Sequence, residues 1–321
     1  MKRALLSLAS LLLSISLLSL QLRADSVLTT INIGSGSTAI AANARTNKLY
    51  VAAGQVVAVI DGKTQQVTAK INIAGGGVNF VAVDILTDRI YASSCNAGTC
   101  NIVVINGNTN HVIANIPIAS GSQIGIQGLA VNPVTGRIYA SDADNGLLLM
   151  IDGKTNTIID QIVVSSQPGG ISVNPQTDRI YIAGSGFPGL IMVYDGATDA
   201  LIANIPEDFG VANTAVNFVL NRAYATNQDK VIVVDGATNQ EITRVPAGPF
   251  ANGVDVNLLN NKIYVTNSSG GSVTIINGNT NQVLQTLPVP AVFPDGVAVD
   301  LANGLTYVTD VDSNNVIVLK P

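Results

Sequence analysis

Residues 262–267 read KIYVTN, and six further segments repeat the pattern of a tyrosine followed by small or β-branched residues. They are KLYVAA, RIYASS, RIYASD, RIYIAG, RAYATN and LTYVTD, with tyrosines at Tyr50, Tyr91, Tyr139, Tyr181, Tyr224 and Tyr307 flanking Tyr264. Successive tyrosines lie 40 to 48 residues apart. A repeat of that length built from short β-type segments is the mark of a β-propeller blade. The expected fold is all-β: a seven-bladed β-propeller with four antiparallel strands per blade, spanning residues 25–321.

One repeat shows the strands. NFVAVD (79–84), RIYASS (89–94), NIVVIN (101–106) and HVIANIPI (111–118) are separated by turn-forming residues. First strands alternate larger residues such as Val81 and Val83 with small ones such as Ala82. The turn between third and fourth strands recurs as DGKTQQ, NGNTNH, DGKTNT, DGATDA, DGATNQ and NGNTNQ. Its glycine is expected to supply a positive φ for a tight hairpin. The recurring Asp61, Asp152, Asp195 and Asp235 therefore read as turn formers rather than catalytic carboxylates. The seventh repeat stops after a third strand, NNVIVLKP (314–321), while SVLTTINI (26–33) resembles a fourth strand. The N-terminal strand is expected to complete the last blade and remove the open edge at the seam.

Lys2 and Arg3, an apolar run from Ala4 to Leu20 and Ala24 before Asp25 form the layout of a secretory signal peptide over residues 1–24. An uncleaved anchor is the competing reading of that run. No later segment is apolar for long enough to span a bilayer. The expected location is periplasmic, extracellular or at the cell surface. Cys95 and Cys100 are the sole cysteines, and in an exported chain they are expected to form one disulfide. Without residues 1–24 the chain keeps 13 basic and 21 acidic residues, a balance that disfavours nucleic-acid binding.

KIYVTN, with RAYATN and LTYVTD, resembles the YVTN-repeat β-propeller family of exported and surface proteins. The match is close in the sixth repeat and degenerate in the first three; DGAT and the VIANIPI-type strand fit the same pattern. The resemblance implies a seven-bladed propeller outside the cytoplasm. It brings no agreed catalytic set.

Function is expected on the face that carries the loops after each second strand and between blades, because those loops vary. That face is acidic, with Asp142, Asp144, Glu207, Asp208, Asp229, Asp295, Asp310 and Asp312 against Lys230. At the entry to each first strand stand Thr38, Asn79, Gln127, Gly169, Ala212, Asn252 and Asp295. Asn79, Gln127, Asn252 and Asp295 are the candidate ligand-binding residues; their oxygens suit a polar ligand or a hard cation. Asp310, Asp312 and Asn314 resemble the start of a calcium loop, but lack its glycine and its terminal glutamate. Turn capping is the competing role, and no cofactor other than calcium is suggested.

The leading expectation is a non-catalytic propeller that binds a small ligand or a protein partner at the acidic face. The lone His111 excludes histidine metal clusters and most serine–histidine triads. One alternative is a metal-dependent lactonase-like or lyase-like hydrolase with a cation at the channel mouth, which needs a carboxylate cluster there. Another is docking of nucleic acid or an anionic partner on the basic slot two residues before each tyrosine: Lys48, Arg89, Arg137, Arg179, Arg222 and Lys262. Surface pairing with nearby Asp is the plainer reading of that slot.

Overall fold

Each repeat has become one twisted four-stranded antiparallel sheet, and seven such sheets form the propeller. This computed structural model describes residues 24–96, 99–118, 125–164 and 167–321. All of the expected leader except Ala24 lies outside the described residues. Blades 1 to 6 span 40–72, 77–118, 126–163, 168–207, 214–246 and 251–288. Blade 7 combines 294–320 with the N-terminal strand Ser26–Asn32. First strands are innermost and fourth strands form the rim.

The closure is antiparallel, with Ser26 opposite Lys320 and Asn32 opposite Asn315. Ahead of that strand, the Asp25 carboxylate enters the seam, where Lys262 Nζ and Tyr264 Oη of blade 6 both donate to it. Both partners of the ion pair are buried. Other blades explain why an acid stands here. The basic slot reaches into the turn of the following blade: Lys48 donates to the Gly107 carbonyl at 2.8 Å and Arg222 to that of Gly278 at 2.8 Å. Arg89 and Arg137 bond Gly153 and Gly196 in the same way, while Arg179 pairs with Asp195 of its own blade. Blade 7 has no such turn, so Asp25 supplies the acceptor for Lys262. Four of the six slot cations thus tie to glycine carbonyls of the next blade, and the expected pairing with Asp is seen at Arg137, Arg179 and Lys262, which meet Asp199, Asp195 and Asp25.

The tyrosines are 0–1% exposed, and each packs on the next blade. Tyr50 joins Ile90, Ala92, Val103 and Ile105 of blade 2, and Tyr307 joins Leu49, Val51, Ala58 and Ile60 of blade 1, completing the circle. Each interface thus adds a buried tyrosine ring to a cluster of aliphatic side chains, and together they cement the ring.

The structure corrects the reading of the DG and NG turns. The left-handed residue is the fifth of the motif, not its glycine: Gln65, Asn110, Asn156, Asp199, Asn239 and Asn281 have φ of 55–60°. Asp61 accepts backbone N–H bonds from Lys63 and Thr64 through Oδ1, which fixes a four-residue loop. The glycine is required by proximity instead. A Cβ on Gly236 would lie 2.4 Å from Asn221 Oδ1, and one on Gly107 would lie 2.4 Å from Asp88 Oδ1.

Every fourth strand carries a bulge at one shared position: Leu28, Thr68, Ile113, Ile159, Ile202, Ile242 and Leu284. A bulge bends and twists an unpaired edge, so the rim does not template sheet extension. The Cys95–Cys100 disulfide is formed across the second hairpin of blade 2.

Candidate binding site at the channel mouth

The first strands of all seven blades enclose a central cavity of about 820 Å³. Its wall mixes aliphatic side chains with the strand-entry slot. Thr38, Asn79, Gln127, Gly169, Ala212, Asn252 and Asp295 all line it, so the fold brings the four candidate residues Asn79, Gln127, Asn252 and Asp295 to one cavity.

The letters after the repeated tyrosine hold this mouth together. Two residues beyond Tyr264, Thr266 Oγ1 accepts from Gly253 N at 2.8 Å and donates to the Asp295 carbonyl of the next blade at 2.6 Å. Thr309 does the same between Gly296 N and Thr38 O, and Thr226 between Asn213 N and Asn252 O. These contacts bring backbones so close that a Cβ on Gly253 would lie 2.2 Å from the Asp295 carbonyl oxygen. One residue further, Asn227 and Asp310 pin the inter-blade loops. Asn227 Nδ2 donates to Phe209 O at 2.9 Å. The Asp310 carboxylate accepts from the N–H groups of Val292, Phe293 and Asp312. Asp310 is fully buried, whereas Asp312 and Asn314 are exposed. The capping role thus occupies the carboxylate that the calcium reading would have used.

A polar chain runs across blades 5 to 7 at the mouth. Asn213 Nδ2 donates to Asn252 Oδ1 at 3.1 Å, and Asn252 Nδ2 donates to the Asp295 carboxylate. Burial pushes the Asp295 carboxyl up to about 6 against the opposing pull of Asn252. A second acid, Asp255, lines the cavity and is also pushed up to about 6 by burial. Its oxygens accept from Val256 N at 2.8 Å and Val299 N at 2.8 Å. Among the described lining residues there is no Lys, Arg or His. The cavity therefore repels anions and suits neutral polar or cationic groups.

Asn213 and Asp255 escaped the sequence reading. Asn213 stands one residue past the slot, and blade 5 has a short inner strand, Thr214–Asn217, that hides the register. Asp255 did leave a signal, because the corresponding residues of other blades are small: Ala82, Ala130, Ser172, Ala215 and Ala298. Glu207, one of the acids expected on the variable face, does not line the cavity. It ends a rim strand and pairs with Arg244 at 3.3 Å.

The raised carboxyls predict a pH dependence. An acid whose pKa rises on folding binds its proton more tightly when folded. Its stabilising contribution is full below the unfolded value of about 3.9 and is lost as pH rises through about 6. Asp295→Asn is expected to reduce the fall in stability between those limits and to gain about 2 kcal/mol over wild type at pH 7. Urea titrations at a series of pH values check this; parallel wild-type and variant curves would contradict it.

No protein-family profile matches the chain, and no curated protein matches it in sequence. Among solved structures, Kuenenia stuttgartiensis hydrazine synthase superposes with a TM-score of 0.78 at 14% identity, covering 89% of this chain and 96% of that one. At such identity the likeness establishes the propeller fold and carries no chemistry.

Proposed function

We propose that this chain is an exported, non-catalytic propeller of the YVTN-repeat type, which binds a small ligand or a protein partner at its acidic variable-loop face. The observation that carries the reading is the Asn213–Asn252–Asp295 chain at the mouth of a cavity with two acids and no base among its described lining residues. A rigid ring with a few convergent polar groups over an apolar wall is the usual build of a small-ligand site. Export to the periplasm or cell surface is supported by the signal-peptide layout and by the disulfide. Cleavage after Ala24 would be compatible with the seam, because it leaves the Asp25 carboxylate that Lys262 and Tyr264 engage.

The hydrolase reading loses ground to geometry, because Glu207 stays outside the cavity and both oxygens of Asp255 accept backbone N–H bonds. The basic-ring reading loses ground because the cations are turned into neighbouring blades.

The mature protein can be tested by native mass spectrometry with metal analysis, and by thermal shift against Ca²⁺, Mg²⁺ and small primary amines. A bound species or a shift that disappears in Asp295→Ala supports the mouth as the site. A protein that carries nothing and responds to none of these probes overturns it.

A further inference from the structure

Four of the six phenylalanines stand exposed on the variable face: Phe187, Phe209, Phe250 and Phe293 at 83%, 41%, 67% and 42%. Among the described residues none of them sits in an apolar core cluster, and their one ring contact is Phe187 with Phe209, at 6.2 Å between centroids. Scattered exposed aliphatics need no explanation, but aromatics gathered on one face mark an interaction surface. Three occupy the inter-blade loops that cross to the inner strands of blades 5, 6 and 7. Their carbonyls are anchored to the following blade: Phe209 by Asn227 Nδ2 at 2.9 Å, Phe250 by Ser268 N at 2.9 Å and Phe293 by Val311 N at 3.1 Å. The backbone is fixed while the rings face outwards. Phe250 and Phe293 stand two residues before Asn252 and Asp295, so the aromatic arc borders the polar mouth.

Phe250 also holds φ of 55°. In blades 3 and 4 the same anchoring carbonyl belongs to Gly125 and Gln167, with φ of 68° and 59°, so the left-handed turn is a property of this loop position. A flexible or polar residue suits it better than a bulky aromatic one. The ring contributes little to packing at that exposure.

The arc has a matching charge. Asp208 adjoins Phe209 and is shared with Arg244 at 3.5 Å. Exposed Asp229 lies beside Gln228, whose carbonyl bonds Ala251 N, next to Phe250. Exposed Asp312 follows Val311, which anchors Phe293. Phenylalanine faces and carboxylates together favour Lys and Arg side chains, through cation–π and charge contacts, with their aliphatic stems lying on the rings.

We propose that the arc over blades 4 to 7 docks a segment of another protein in which Lys or Arg alternates with apolar residues. One of its cations points into the mouth towards Asp295. The proposal rests on the reading of the variable face as a binding face and names the partner chemistry. An anionic membrane is disfavoured by the same acids.

A fluorescently labelled ten-residue peptide of alternating Lys and Leu, titrated with the mature protein, tests it by anisotropy. Binding is expected to weaken with salt and to fall about tenfold or more in the Phe250→Ala, Phe293→Ala double variant. Phe250→Gly should bind less well while keeping the wild-type melting temperature or exceeding it, which separates docking from folding. Equal affinity of wild type and the double variant overturns the proposal. So does equal binding of an alternating Glu and Leu peptide, or binding of phosphatidylserine vesicles without peptide binding. If the peptide fails while the Asp295-dependent response to cations or amines persists, this inference falls and the proposed site at the mouth stands.

Discussion

Replacing Asp25 by alanine is expected to destabilise the ring by about 3–5 kcal/mol, the usual loss when one partner of a buried ion pair is removed. The carboxylate bonds Lys262 Nζ and accepts from Tyr264 Oη at 2.5 Å. The side chains of Asp25 and Lys262 are 2% and 9% exposed. Alanine would leave an ammonium enclosed without a counter-charge and a tyrosine hydroxyl without its acceptor. The equivalent cations Lys48 and Arg222 tolerate neutral partners because a glycine carbonyl of the next blade meets each of them. Blade 7 has no third-to-fourth turn and no such carbonyl. An Asp25→Ala, Lys262→Met double variant is expected to recover most of the loss, because it leaves no unpaired charge. Urea denaturation of the three proteins decides the matter. A single-variant loss below about 1 kcal/mol would place the pair among weak surface bridges.

Tyr181→Ala is expected to cost about 3–5 kcal/mol, as for other large buried aromatics. Tyr181→Phe is expected to change stability by less than about 1 kcal/mol. Tyr181 is 1% exposed and packs with Ala223, Ala225, Ile232 and Val234 of blade 5. Its hydroxyl has no hydrogen-bond partner among the described residues. Its ring therefore carries the interface. Tyr264→Phe should behave differently from Tyr181→Phe, since only Tyr264 donates to the seam carboxylate. Calorimetric unfolding of the three variants compares them, and a large loss in Tyr181→Phe would show that the hydroxyl matters more than the ring.

Much of the ring was legible because blades repeat. Seven tyrosines counted the sheets, and the likeness of residues 26–33 to a fourth strand located the closure. The strand-entry slot was legible for the same reason: equivalent residues of equivalent strands must converge on one axis. The glycine of the DG turn was misread because sequence shows which residue is small but not what stands opposite it. Asn221 and Asp88, which forbid a Cβ there, belong to another turn.

By itself, the sequence determined the number of blades, their strand order, the closing strand and the strand-entry residues that line the channel, since all follow from local periodicity repeated seven times. Tertiary structure alone decided what joins one blade to the next. It turned Lys48, Arg89, Arg137 and Arg222 to glycine carbonyls of the next blade and set Asp25 against Lys262 across 237 residues. It linked Asn213, Asn252 and Asp295 into one chain, and it left the phenylalanines outside the core. Those outcomes depend on which atoms of distant segments come within hydrogen-bond or van der Waals reach. No period in the chain encodes that.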